Sequence, residues 1–87
     1  MKTKVLGSQA TIGQGSGNGS NFGNATCVRI YNEHSANTMV SVETSGATLI
    51  GTFTLKTGEK EFVLKDATDE IFVNTAAVLG VGVAITD

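Results

Sequence analysis

Residues 76–86 read AAVLGVGVAIT, and this stretch decides the fold class of the chain. A helix is disfavoured because Gly80 and Gly82 would each cost about 1 kcal/mol in a helix interior, whereas the β-branched residues around them favour a strand. Side chains alternate between the two faces of a strand. One face therefore carries Leu79, Val81, Val83 and Ile85, and the other carries the smaller Val78, Gly80, Gly82 and Ala84. Another backbone can approach the small face closely, and we expect that face to meet another sheet, another subunit or the N-terminal segment.

Five more segments upstream show strand alternation, with turn-forming residues between them. They span residues 25–32, 38–44, 47–55, 60–65 and 70–73. This spacing predicts an all-β fold, a small β-sandwich or barrel of about six to eight short antiparallel strands. The residues predicted to face the core are Val28, Ile30, Val40, Val42, Phe53, Leu55, Phe62, Leu64, Ile71, Val81 and Val83.

The N-terminal part differs in composition from the rest of the chain. We predict an extended Gly-rich arm over residues 1–24 and a β-sandwich domain over residues 25–87 that folds without it. The arm lacks the Gly-Lys-Ser/Thr ending of a phosphate-binding loop, and Ile12 and Phe22 are its only large apolar residues beyond residue 6. We interpret it as a strap that becomes ordered on a partner. The residues predicted to bind that partner are Ile12, Phe22, Asn24, Gly80 and Gly82.

Bulk composition excludes several classes of protein. One cysteine and one histidine among 87 residues allow neither an internal disulfide nor the usual zinc ligand set, so we expect no cofactor and no metal. A domain of this size is only marginally stable alone, which favours self-association. The six Lys and Arg residues are scattered and the net charge is −2, which argues against nucleic-acid binding. We expect no signal peptide and no membrane segment, because the apolar runs are too short.

No combination of residues indicates catalysis, and we expect the protein not to be an enzyme. His34 next to Glu33 is typical of a solvated turn, and Cys27 is interpreted as a buried, unreactive thiol. Asp66, Asp69 and Glu70 lack the spacing of a calcium loop. A type I turn capped by aspartate explains them.

Four short motifs resemble small structural virion proteins of tailed phages of the marine or cyanophage type. They are Ala25-Thr26-Cys27-Val28-Arg29-Ile30-Tyr31-Asn32, Ile50-Gly51-Thr52-Phe53-Thr54-Leu55, Gly58-Glu59-Lys60-Glu61-Phe62-Val63 and Thr68-Asp69-Glu70-Ile71, and the similar stretch Val40-Ser41-Val42-Glu43-Thr44 lies between the first two. The resemblance covers about residues 24–86 and carries over no functional residues.

The resemblance implies a capsid decoration (cement) protein that binds and stabilises the phage head lattice. Its partners would be the major capsid protein or another virion protein, and it would reside in the virion after synthesis in the host cytoplasm. The alternative is a small tail, baseplate or neck component. A ligand-binding β module is disfavoured because the chain has no Trp and one Tyr, whereas such sites need aromatic platforms.

Overall fold

The structure is a computed structural model that describes residues 2–86, and it confirms the all-β prediction. Each of the six predicted strands is present, together with two N-terminal strands that the sequence did not indicate. The eight strands are β1 (Lys2–Val5), β2 (Ala10–Thr11), β3 (Cys27–Asn32), β4 (Thr38–Glu43), β5 (Leu49–Leu55), β6 (Lys60–Leu64), β7 (Glu70–Val73) and β8 (Val78–Thr86).

The strands form two antiparallel sheets. The larger sheet has the order β1-β8-β3-β6, with β2 also paired to β8, and the smaller sheet has the order β5-β4-β7. Among the pairings of these eight strands, only β4–β5 joins two strands that are consecutive in the chain. The core lies between the sheets, as expected of a sandwich. Its buried members are Ile12, Ala25, Val28, Ile30, Val40, Leu55, Ile71, Val73 and Val78.

The predicted faces of β3, β4 and β7 are confirmed, but that of β6 is wrong. Val63 pairs with Val28 and packs against the core, whereas Leu64 pairs with Cys27 and is 81% exposed. The strand has three consecutive apolar residues, Phe62 to Leu64, so alternation could not fix its orientation.

The predicted core residues of β8, Val81 and Val83, are buried as predicted, but they belong to a second cluster and not to the core between the sheets. Val81 is buried, but it pairs with Arg29 and shares a separate cluster with Cys27, Val83 and Phe62. The small residues of β8 face the core instead, because Gly80 pairs with Ile30.

The N-terminal segment is part of the sandwich, which corrects the predicted division at residue 24. Strand β1 pairs with β8 from Lys2↔Thr86 to Val5↔Val83, and β2 pairs with β8 further along the same strand. Ile12 is only 2% exposed and belongs to the core. The segment is therefore an integral part of the sandwich, whereas the sequence predicted an arm that projects from it.

Residues 12–20 also close one side of the sandwich by connecting the two sheets. The amide of Ile12 donates to the Val78 carbonyl at 2.7 Å, which joins the segment to β8. Further along, Ser20 and Ile71 exchange two backbone hydrogen bonds of 3.1 and 2.9 Å, which covers the edge of β7. The unpaired backbone groups of that edge are thereby satisfied.

Two charged side chains, Glu43 and Lys65, hold the N-terminal segment against the sandwich through hydrogen bonds. Glu43 is 1% exposed, and its carboxylate accepts hydrogen bonds from the Ser16 hydroxyl at 2.8 Å and the Gly17 amide at 3.0 Å. The Lys65 ammonium lies within 3.3 Å of the carbonyl oxygens of Asn21, Ala25, Asp66 and Ala67. Burial lowers the pKa of Lys65, and the carboxylates of Asp69 and Asp66 partly offset this effect.

A left-handed turn ends the segment. Phe22, Gly23 and Asn24 have φ angles of 55°, 70° and 61°, a conformation that is unfavourable for a bulky side chain. The Asn21 side chain accepts hydrogen bonds from the amides of Gly23 and Asn24, and the Ala25 amide donates to the Asn21 carbonyl. The turn places Phe22 against β8.

Candidate partner-binding surface

Three of the five residues predicted to bind a partner, Ile12, Gly80 and Gly82, are buried within the chain. A Cβ atom built on Gly80 would lie 2.8 Å from the Phe22 ring and 3.1 Å from the Ile12 side chain. A Cβ atom on Gly82 would lie 2.9 Å from Ala25. The small face of β8 thus meets the N-terminal segment, one of the three expected possibilities, and a partner has no access to Ile12, Gly80 or Gly82 in this conformation.

The other two predicted residues, Phe22 and Asn24, line an open groove of about 470 Å³. The groove lies where β8 extends beyond the start of β3, because their pairing begins at Val28↔Gly82. Leu6, which is 54% exposed, and Leu64 contribute to its walls. Phe22 and Asn24 remain candidate contact residues on this geometry.

The groove adjoins an apolar surface on the larger sheet, which we call the outer face. Val5 pairs with Val83, and Cys27 pairs with Leu64, so that these residues form one row across four strands. A second row contains Phe62, Arg29 and Val81. The solvent side of an antiparallel sheet is ordinarily polar. The outer-face residues are Val5, Cys27, Arg29, Phe62, Leu64, Val81, Val83 and Ile85. Cys27, Val81 and Val83 in the middle strands are buried, whereas Val5 and Leu64 on the edge strands are exposed.

Arg29 lies in the middle of the outer face. It lines a second groove of about 410 Å³ together with Val5, Phe62 and Val81. Among the described residues, its guanidinium takes part in none of the side-chain hydrogen bonds found. It is the one charged group in these two rows, and its aliphatic stem can lie along apolar neighbours while its charge stays in water.

The titratable residues considered from the sequence are not assembled into a site. Cys27 begins β3 and His34 follows its end, so the length of the strand, roughly 17 Å, separates them. Asp66 and Asp69 hold the β6–β7 turn, since the Asp66 amide donates to the Asp69 carboxylate at 3.3 Å. Within residues 2–86, no group of three or more His, Cys, Asp and Glu side chains is arranged to hold a metal ion.

Cys27 is expected to react slowly with thiol reagents in the folded protein. Its side chain is 5% exposed, and burial raises the pKa of the thiol, which reduces the reactive thiolate. Labelling with Ellman's reagent at pH 8 should be at least about tenfold slower in native protein than in denaturant. Equal rates in the two states would show that the row containing Cys27 opens readily to solvent.

Comparison of the chain with protein-family models, with curated proteins and with solved structures gives no match. In the part of the chain that the structure describes, no helix is long and apolar enough to cross a bilayer.

The outer face cannot be recognised as a candidate site from the sequence alone. Its signal is the large apolar residues of β6 and β8 that lie on the side of the sheet away from the core between the sheets. Residues of this type predict a core position, because a core is the commonest place for them.

Proposed function

We propose that this protein is a structural binding module that attaches to a larger assembly through the outer face. The observation that carries the proposal is the second apolar face of the larger sheet, on which Val5 is 61% exposed and Leu64 81% exposed. Val83 and Cys27 lie between these two exposed residues and are buried, so the exposed apolar groups are at the two edges of the face. Phe62 and the central Arg29 fit the composition of protein interfaces, which are enriched in aromatic residues and in arginine.

The assembly that we propose is a virion, and the role is that of a capsid decoration protein. The support is the resemblance of four motifs to small phage virion proteins, combined with a surface suited to docking. A protein that binds the assembled lattice and not its separated subunits stabilises the lattice by mass action. Many copies acting together would make a large difference to the particle even if each copy contributes little.

A single substitution on the outer face tests this attachment. Leu64→Lys places a charge at a position that is already 81% exposed, so the fold should persist while binding to the particle falls at least about tenfold. The matched control is Met39→Lys, at a 44% exposed apolar residue of the other sheet, which should bind like the unsubstituted protein. Binding is measured by co-sedimentation with particles that lack the protein.

The particles themselves distinguish the two virion roles. Particles carrying the protein should resist heating better than particles without it. The gain should persist at about 0.5 M salt, because an apolar interface is little affected by screening. Equal resistance would exclude a decoration role and favour the tail, baseplate or neck alternative. Unchanged binding of Leu64→Lys would exclude the outer face as the attachment site.

A further inference from the structure

Three of the strand edges of the sandwich are protected against pairing with strands of other molecules. Residues 13–20 cover the edge of β7 with backbone hydrogen bonds. Strand β1 carries Lys4, and β6 carries Lys60 and Glu61. Covering segments and charges are the means by which proteins prevent their sheets from pairing with other strands.

Within residues 2–86, the edge of β5 has neither a covering segment nor a charged residue. Strand β5 is the last strand of the smaller sheet and pairs only with β4, with a register shift opposite Val42 and Glu43 that leaves Ile50 without a partner. No charged residue and no proline occurs from Thr44 to Leu55. Leu49 and Ile50 are 58% and 56% exposed. A long, uncharged edge with exposed apolar side chains is suited to pairing with another strand.

We propose that β5 pairs with β5 of a second copy of this chain, in antiparallel orientation about a two-fold axis at Thr52. Such an axis places Phe53 of each copy opposite Gly51 of the other, so a large side chain lies over a position that has none. The regular part of β5 available for this pairing runs from Gly51 to Leu55, because Ile50 lies at the register shift opposite Val42 and Glu43.

Charge distinguishes a second copy at β5 from self-pairing at the other edges. Strands β1 and β6 carry charged residues, Lys4 in β1 and Lys60 and Glu61 in β6, whereas two β5 strands meet with no charge at all. The free edge ends at Leu55, whose carbonyl accepts a hydrogen bond from the Asn32 side chain at 3.0 Å. The pairing joins two three-stranded sheets into one continuous sheet of six strands. It is independent of the virion role and of the outer face.

The test is the oligomeric state of the full chain. Sedimentation velocity from about 10 µM to about 1 mM should show a dimer that dissociates on dilution. Thr52→Lys sets two ammonium groups against each other at the axis and should weaken dimerisation at least about tenfold. Thr68→Lys makes the same substitution at an exposed residue of the β6–β7 turn and should leave the dimer intact.

Cross-linking supplies a second measurement on the register. In a Cys27→Ser background, Thr52→Cys should form a disulfide-linked dimer with oxidised glutathione, because directly opposed residues bring their Cβ atoms within reach of a disulfide. Thr68→Cys should not. A chain that stays monomeric at about 1 mM, or a dimer unaffected by Thr52→Lys, would overturn the proposal.

Discussion

Deletion of residues 2–25 is expected to unfold the protein. The deletion removes Ile12 and Ala25, which are 2% and 7% exposed, from the core. Loss of a buried Ile side chain alone costs about 2–5 kcal/mol. A domain this small rarely has more than about 3–5 kcal/mol of stability. The deletion also uncovers Gly80 and Gly82 and leaves the edge of β7 unpaired, so the remaining strands lose their cover as well.

The measurement is the dispersion of the amide proton spectrum together with the thermal transition by circular dichroism. A deletion of residues 2–6 is the control, because it removes β1 but keeps Ile12 and the segment that covers β7. This shorter variant should remain folded with a lower melting temperature. A dispersed spectrum and a cooperative transition for the longer deletion would show that the rest of the chain folds without the N-terminal segment, as its composition suggests.

Gly82→Val is expected to have the second-largest effect, a loss of about 3 kcal/mol in the free energy of unfolding. A Cβ atom at Gly82 would lie 2.9 Å from the Ala25 Cβ atom and 3.1 Å from the Phe22 carbonyl oxygen. Neither atom is the end of a flexible side chain, so the backbone of residues 22–25 has to move. The Lys65 ammonium, which binds the carbonyls of Asn21 and Ala25, would be displaced with it.

Gly51→Val is the matched control for this substitution. Gly51 is also in a strand, and a Cβ atom there meets nothing within 4 Å. Valine is favoured over glycine in strands, so the melting temperature should stay the same or rise. Both variants are compared by thermal denaturation at about 1 µM, where weak self-association is absent. Equal losses for the two would mean that the cost comes from replacing a glycine within a strand, wherever it lies, and not from contact with residues 22–25.

The sequence predicted the strands well and their faces less well. Segments such as β3 and β4 alternate between apolar and polar residues, and turn-forming residues mark their ends. Both signals therefore predict a strand with the same bounds. Strands β6 and β8 have apolar residues on both faces. A strand of this kind gives no indication of which face is inward until its neighbours are known.

The role of the N-terminal segment could not be predicted from its composition. Its Gly, Ser and Asn residues correctly indicate an irregular backbone. The segment needs few apolar residues, however, because the face of β8 against which it packs has small residues and leaves little space to fill. Ile12, Phe22 and Ala25 fill the space that Gly80 and Gly82 leave open. The complementarity is between segments about 60 residues apart, which no local pattern can report. Of the predicted contact residues, Phe22 and Asn24 are the two that the structure leaves beside an open groove.

The pairing of β1, β2 and β3 with β8 has a consequence for how the chain is made. Strand β8 is synthesised after the other seven strands, so β1 and β2 wait for their partner while all of the intervening strands are made. At ordinary rates that delay is roughly 5–15 s. The high contact order of such a topology slows folding further. During that delay the N-terminal segment, which is rich in glycine, serine and asparagine, presents few apolar side chains to which chaperones or other nascent chains could bind.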